Sequence, residues 1–313
     1  MVKSSYFIGG ELQLLVLKFK VDLTDKLEMN RIIAGTMTWG DWGRKFNPKE
    51  TAALITQCIE NGLYTFDHAD IYGGYTTEED FGDGFKDSKI NREDLIFISK
   101  CGIQMPCEKR PLVVKHYNYS KTHIITSVEQ SLKNLQTDYL DVLLLHRPSP
   151  LLVVEEVADA FNTLETSGKV KSFGVSNFTP SQLDLLDTEI SLEWNQIECS
   201  LSHNTPLFDG SLDHHLTKGI GTMAWSPLGN YFKEDNPNSE RLNPLLATLA
   251  EKYNASKDQL LLAWLLKHPA GIHPVVGTTR IERLKAAMAA VKINLSKEDW
   301  FLMLETQWGH EVP

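Results

Sequence analysis

The segment Thr65-Phe66-Asp67-His68-Ala69-Asp70-Ile71-Tyr72-Gly73-Gly74 carries an apolar run into a carboxylate and then, one loop step later, presents a phenol. An acid and a tyrosine this close suggest proton transfer, yet an ordinary phenol, with a pKa of about 10, holds its proton too tightly near neutral pH. A buried cation beside it would favour the phenolate and lower that value. The run Leu95-Ile96-Phe97-Ile98-Ser99-Lys100 ends in such a cation, and Val142-Leu143-Leu144-Leu145-His146-Arg147-Pro148 ends in an imidazole. Each residue has an ordinary explanation by itself. Asp67 could cap a turn, Lys100 could be solvated, His146 could be a structural donor and Tyr72 a loop aromatic. Four chemically matched types at successive apolar run ends argue instead for one site.

These residues need elements that aim them together, and the chain from Asn30 onward alternates strand and helix signals. Short apolar strands are expected at 31–35, 64–66, 95–100, 142–146, 172–175, 192–196, 222–225 and 273–276. Asn47-Pro48-Lys49-Glu50 and Thr179-Pro180-Ser181-Gln182 each combine a cap, a proline at the first helical position and a capping-box partner. Leu54, Ile55, Cys58 and Ile59 share one helical face that Gly62 ends. Helices are also expected at 77–86, 123–135, 154–167 and 241–267, with a last one starting near Thr279. Eight strand–helix units predict a (β/α)8 TIM barrel, whose site lies at the carboxyl ends of its strands. A doubly wound open sheet would need a glycine fingerprint after its first strand. Gly219-Ile220-Gly221-Thr222-Met223-Ala224 has no strand leading into it. Gly174-Val175-Ser176-Asn177-Phe178 is one glycine short of a serine-hydrolase elbow, which disfavours a hydrolase.

Composition narrows the function class. The 313 residues, 42% hydrophobic and 23% charged, suit one large globular barrel, and a net charge of −10 without a basic stripe argues against nucleic acid. Cys58, Cys101, Cys107 and Cys199 have neither metal-ligand spacing nor the density of a disulfide scaffold, so reduced thiols in a cytoplasmic protein are expected. His214, His215, His268 and His273 have no metal-ligand spacing, and no metal is expected. Residues 12–19 are too short and too soon followed by charge for a membrane span. With Gly9-Gly10 as a turn, residues 1–29 are expected to form an N-terminal hairpin cap on a single barrel of residues 30–313. The connection 103–122 is long enough to be functional. A monomer or weak homo-oligomer is expected.

The strand-end set Asp67, Tyr72, Lys100 and His146 resembles the active-site tetrad of the aldo-keto reductase superfamily, from about Asn30 to the C-terminus. The ending Trp308-Gly309-His310-Glu311-Val312-Pro313, with Asp67 to Tyr75, is similar to its YdhF-type bacterial branch. That resemblance implies reduction of small aldehydes or ketones with NADP(H), or with NAD(H). Tyr72 would be the general acid, Lys100 would lower its pKa, Asp67 would hold Lys100, and His146 would orient the carbonyl oxygen. It also implies a cofactor seat. Ser176, Asn177 and Gln196 would meet the nicotinamide carboxamide, with Trp225 stacked on the ring and Thr36 and Met37 at the ribose. Ser226 and Leu228 would receive the pyrophosphate, and the Gly277-Thr278-Thr279-Arg280 turn with Arg283 the adenosine phosphate. Gly277 stands where a lysine is common, and Ala286-Ala287 where an acid and an asparagine are common, which leaves dual NAD use open. Trp39, Trp42 and the 103–122 connection are expected as substrate walls. A cofactor-binding regulatory subunit with little turnover is the alternative.

Overall fold

The computed structural model describes residues 28–108, 110–233 and 237–313; all but the last two residues of the expected N-terminal cap lie outside that range. Eight parallel strands close a barrel: β1 (Ile33–Gly35), β2 (Thr65–Asp67), β3 (Ile96–Cys101), β6 (Val142–Leu145), β7 (Phe173–Ser176), β8 (Trp194–Glu198), β9 (Gly221–Trp225) and β10 (His273–Val276). Closure comes from β1 pairing β10, with Ile33 opposite Val275. The long 103–122 connection is not structureless: β4 (Ile103–Gln104) and β5 (His116–Tyr117) fold it into a small antiparallel hairpin beside the barrel mouth.

The described residues form ten α-helices, in chain order α1 (Pro48–Glu60), α2 (Thr77–Ser88), α3 (Lys121–Leu135), α4 (Val154–Thr166), α5 (Pro180–Leu186), α6 (Ser211–Lys218), α7 (Pro237–Tyr253), α8 (Lys257–Leu266), α9 (Ile281–Ala289) and α10 (Lys297–Trp308). Both capping boxes form where the spacing predicted them, Asn47 with Glu50 and Thr179 with Gln182. The helical stretch expected over 241–267 is two helices, not one. Asn254 turns left-handed at φ 47°, and Ser256 starts α8 with its own capping box to Gln259. A residue that leaves the right-handed region, followed by a strong N-cap, ends one helix and begins another. Helix α10, which the sequence does not announce, packs on α7.

Strand parity decides what faces the barrel axis, because successive side chains alternate sides. Ile33, Ile96, Ile98, Val142, Leu144, Met223 and Val275 fill the interior. Phe66, Phe97, Leu143, Leu145, Phe173 and Val175 point the other way, into the layer between barrel and helices. Two further residues along the inward rows lie Lys100 after Ile98, His146 after Leu144 and Trp225 after Met223. The same parity turns Asp67, Ser176 and Gln196 inward at the carboxyl ends of their strands.

Candidate active site

Lys100 is the hub. It is 1% exposed, and its Nζ donates to both Asp67 carboxylate oxygens at 2.7 Å, to the His68 carbonyl at 2.7 Å and to Tyr72 Oη at 3.2 Å. Burial lowers the pKa of this ammonium; Asp67 and the phenol outweigh that and raise it above 10.5. Asp67 is held in turn by Gln196 Nε2 at 2.8 Å. Tyr72 follows β2 on a short 3-10 turn and lies edge-on to His146, ring centroids 6.1 Å apart.

The expected lowering of the Tyr72 pKa does not prevail. Burial raises it, Lys100 and Arg147 oppose that, and the balance leaves the phenol above its usual 10. Removing a phenolate from water costs more here than a lysine already shared with Asp67 returns. His146 is displaced the other way. Burial, then Lys100, Arg147 and Lys115, hold it well below 6.5, so the ring is neutral. Its Nδ1 is buried without a hydrogen-bond partner.

A cavity of about 1230 Å³ opens over these groups and runs toward the start of α9. Of the residues singled out in the sequence, Asp67, Tyr72, His146, Met37, Gln196, Trp225, Ser226, Leu228, Gly277, Thr278 and Arg283 line it. Lys100, Thr36, Ser176 and Asn177 stand behind that lining. Thr36 is fully buried, donating to the Asp67 carbonyl at 3.0 Å and meeting His68 Nδ1 at 2.9 Å. Ser176 Oγ accepts from Arg147 Nη1 and from Asn177 Nδ2, both at 3.0 Å, while Asn177 Oδ1 accepts from Trp225 Nε1 at 3.0 Å. Thr279 and Arg280 flank the cavity at the head of α9, where Arg280 is the cap residue. Asn177 and Ser226 both take left-handed backbone, at φ 61° and 49°, as their strands end. Non-glycine residues in that region are held there by their surroundings and cluster at functional sites.

Of the expected substrate walls, Trp42, Ile103, Met105 and Tyr117 do line the cavity. Trp39 does not: it is 2% exposed and packs edge-on against Phe66 at 6.0 Å, inside the core. Lys115, in the same 103–122 connection, lines it too, and so do Arg147, Lys233, Asp258 and Glu282, to which the sequence assigns no role. Arg147 had a visible signal, since it directly follows His146 at a strand end.

A dinucleotide would fit this architecture. The cavity exceeds the range of about 300–1,000 Å³ that suits a drug-sized ligand. It joins the tetrad to the loops after β9 and β10, where barrels of this type place phosphates. No helix among the described residues is long and apolar enough to cross a membrane. No group of three or more His, Cys, Asp or Glu among them could hold a metal ion.

A sequence profile of the Aldo/keto reductase family matches residues 31–305. The oxidoreductase YcsN of Bacillus subtilis, described as uncharacterized, is 42% identical over 94% of this chain and 99% of its own length. Oxidoreductase YdhF of Escherichia coli is 40% identical over 91% of this chain and 96% of its own. Among solved structures, the thermostable aldo-keto reductase Tm1743, crystallised with the inhibitor epalrestat, superposes with a TM-score of 0.75. It is 27% identical and covers 89% of this chain and 95% of its own.

Proposed function

The chain belongs to the aldo/keto reductase family of oxidoreductases, and from that premise we propose that it reduces small aldehydes and ketones to alcohols with NADPH. The observation that carries this reading is the convergence of Lys100, Asp67, Tyr72 and His146 at one end of a cavity whose other end lies at the loops after β9 and β10 and the head of α9, where barrels often bind phosphate. Bound NADPH would supply the hydride. Gln196, Trp225, Ser226, Leu228, Gly277, Thr278 and Arg283, all in the cavity lining, would hold it, with Ser176 and Asn177 bracing Trp225 from behind. Arg283 favours the phosphorylated cofactor; Glu282 beside it and Ala286-Ala287 keep NADH use open.

The chain's own groups then handle the proton. Neutral His146 donates to the carbonyl oxygen and orients it. Tyr72, protonated because burial raises its pKa, gives its Oη proton to that oxygen as negative charge develops. Lys100 stabilises the phenolate left behind, and Asp67 keeps Lys100 in place. Trp42 and Met105 wall off a mouth wide enough for varied small carbonyls.

Tyr72→Phe tests this. Reduction of a carbonyl panel should fall by about 10²–10⁴-fold, the usual contribution of a general acid. NADPH binding, followed by fluorescence titration, should stay within a few-fold of wild type. Full turnover by the variant, or no turnover of any carbonyl by wild type, would remove the proposal.

A further inference from the structure

The cavity carries an uneven charge. At the end formed by Tyr72 and His146 its lining includes Arg147 and Lys115, and the carboxylate there, Asp67, is already engaged by Lys100. The other acids of the lining, Asp258 and Glu282, belong to the opposite end, on α8 and α9. A positive mouth on a chain of net charge −10 runs against the molecule's overall sign.

Arg147 is the more telling cation. Its Nη1 donates to the His146 carbonyl at 2.7 Å and to Ser176 Oγ at 3.0 Å, which fixes the guanidinium at the barrel mouth, 5.6 Å from the Trp225 ring. Among the described residues no carboxylate pairs with it. A half-buried guanidinium without an anionic partner is unfavourable, and its planar fork is suited to a carboxylate. Lys115 reaches the same region from the residue just before β5 and adds to the positive field at His146. Lys233, on the loop after β9, belongs with Ser226 and Leu228 to the end of the cavity where the cofactor phosphates would sit.

We propose that the substrate is anionic: an aldehyde or ketone bearing a carboxylate, which Arg147 grips with help from Lys115 while the carbonyl oxygen faces Tyr72 and His146. This rests on the reductase reading above and adds a substrate class to it.

The test compares matched pairs at saturating NADPH with the full chain: 4-carboxybenzaldehyde against methyl 4-formylbenzoate, and succinic semialdehyde against its methyl ester. In wild type, kcat/KM should favour the carboxylate member of at least one pair by about tenfold, the scale of one charge-assisted hydrogen bond. The preference should shrink with added salt. It should fall toward unity in Arg147→Gln and in part in Lys115→Gln, whose exposed site tolerates substitution. A ratio near one in wild type for both pairs, or a preference that survives both substitutions, overturns the proposal. So does an Arg147→Gln loss that is equal for acid and ester and accompanied by weaker NADPH binding, which would assign Arg147 to the cofactor. If wild type reduces neither member of either pair nor any other carbonyl, the reductase reading itself has failed. If the esters are reduced but no acid is preferred, only the substrate class is wrong.

Discussion

Tyr72 sits between two opposing influences of its own surroundings. Burial holds its proton on, Lys100 works to release it, and burial prevails. The consequence is directional: an acid that stays protonated is suited to giving a proton to a reduced carbonyl. His146, lowered well below 6.5, stays neutral over the same range. The reductive kcat/KM should therefore be flat from about pH 6.5 to 9. It should fall only above the ordinary phenol value of 10, where Tyr72 begins to ionise. A pH–rate profile checks this, and an inflection near 7 would contradict it. Lys100→Met should abolish reduction. Because Asp67, 2% exposed, would lose its cation, it should also cost roughly 3–5 kcal/mol in urea unfolding, the usual penalty for stranding one partner of a buried pair. The four residue types were legible in the sequence because each follows an apolar run. The sign of the Tyr72 shift was not, since it depends on how deeply the ring is buried and on how far Asp67 has already claimed the lysine.

At the level of elements, the site depends on helices that keep the strand ends in register. Helices α2 and α3 approach closely where Gly82 faces the Asn134 carbonyl; a Cβ at position 82 would lie 2.0 Å from that oxygen. Beside this seam the buried Glu78 accepts from Ser99 Oγ at 2.6 Å, tying α2 to β3 one residue from Lys100. Gly82→Ala should destabilise the protein by about 1–3 kcal/mol, the range for overpacking a tight contact. Urea unfolding measures this, and an unchanged midpoint would mean that the helices can part freely. The capping boxes at Asn47 and Thr179 were readable because they use only neighbours three residues apart. The break between α7 and α8 was less readable. Asn254 is compatible with a helix and departs from it through its left-handed backbone.

Cohesion among the described residues comes chiefly from two large apolar clusters outside the barrel and one inside it, with two smaller ones around Leu262 and Ile71. The outer layer is fastened by α10, where Trp300 stacks on Trp264 at 4.7 Å and the two rings each donate to the other's backbone carbonyl. Between β8 and β9, His215 is 1% exposed and accepts from Asn195 at Nε2 while donating to Thr222 from Nδ1, an arrangement that requires the neutral ring. Burial lowers its pKa from 6.5 to about 4. The folded state thus binds fewer protons than the unfolded chain between these values. The contribution of His215 is complete above pH 6.5 and is lost as pH falls toward 4, by at most about 1.4 kcal/mol per pH unit. The urea-unfolding stabilities of wild type and His215→Gln should accordingly converge as pH drops through that window. A constant gap would show that the ring is not held neutral.

The sequence by itself determined the barrel, the capping signals and the placement of Asp67, Lys100 and His146 at the ends of apolar runs with Tyr72 one loop step on, because all of these are written in short-range patterns: apolar runs, two-residue parity and three-residue caps. Only the tertiary structure decided that Trp39 belongs to the core, that the 103–122 connection folds back as a hairpin, that burial outweighs Lys100 at Tyr72, and that Arg147 has no acid paired with it among the described residues. Those outcomes depend on desolvation and on partners distant in the chain. Both quantities exist only once the strands have closed.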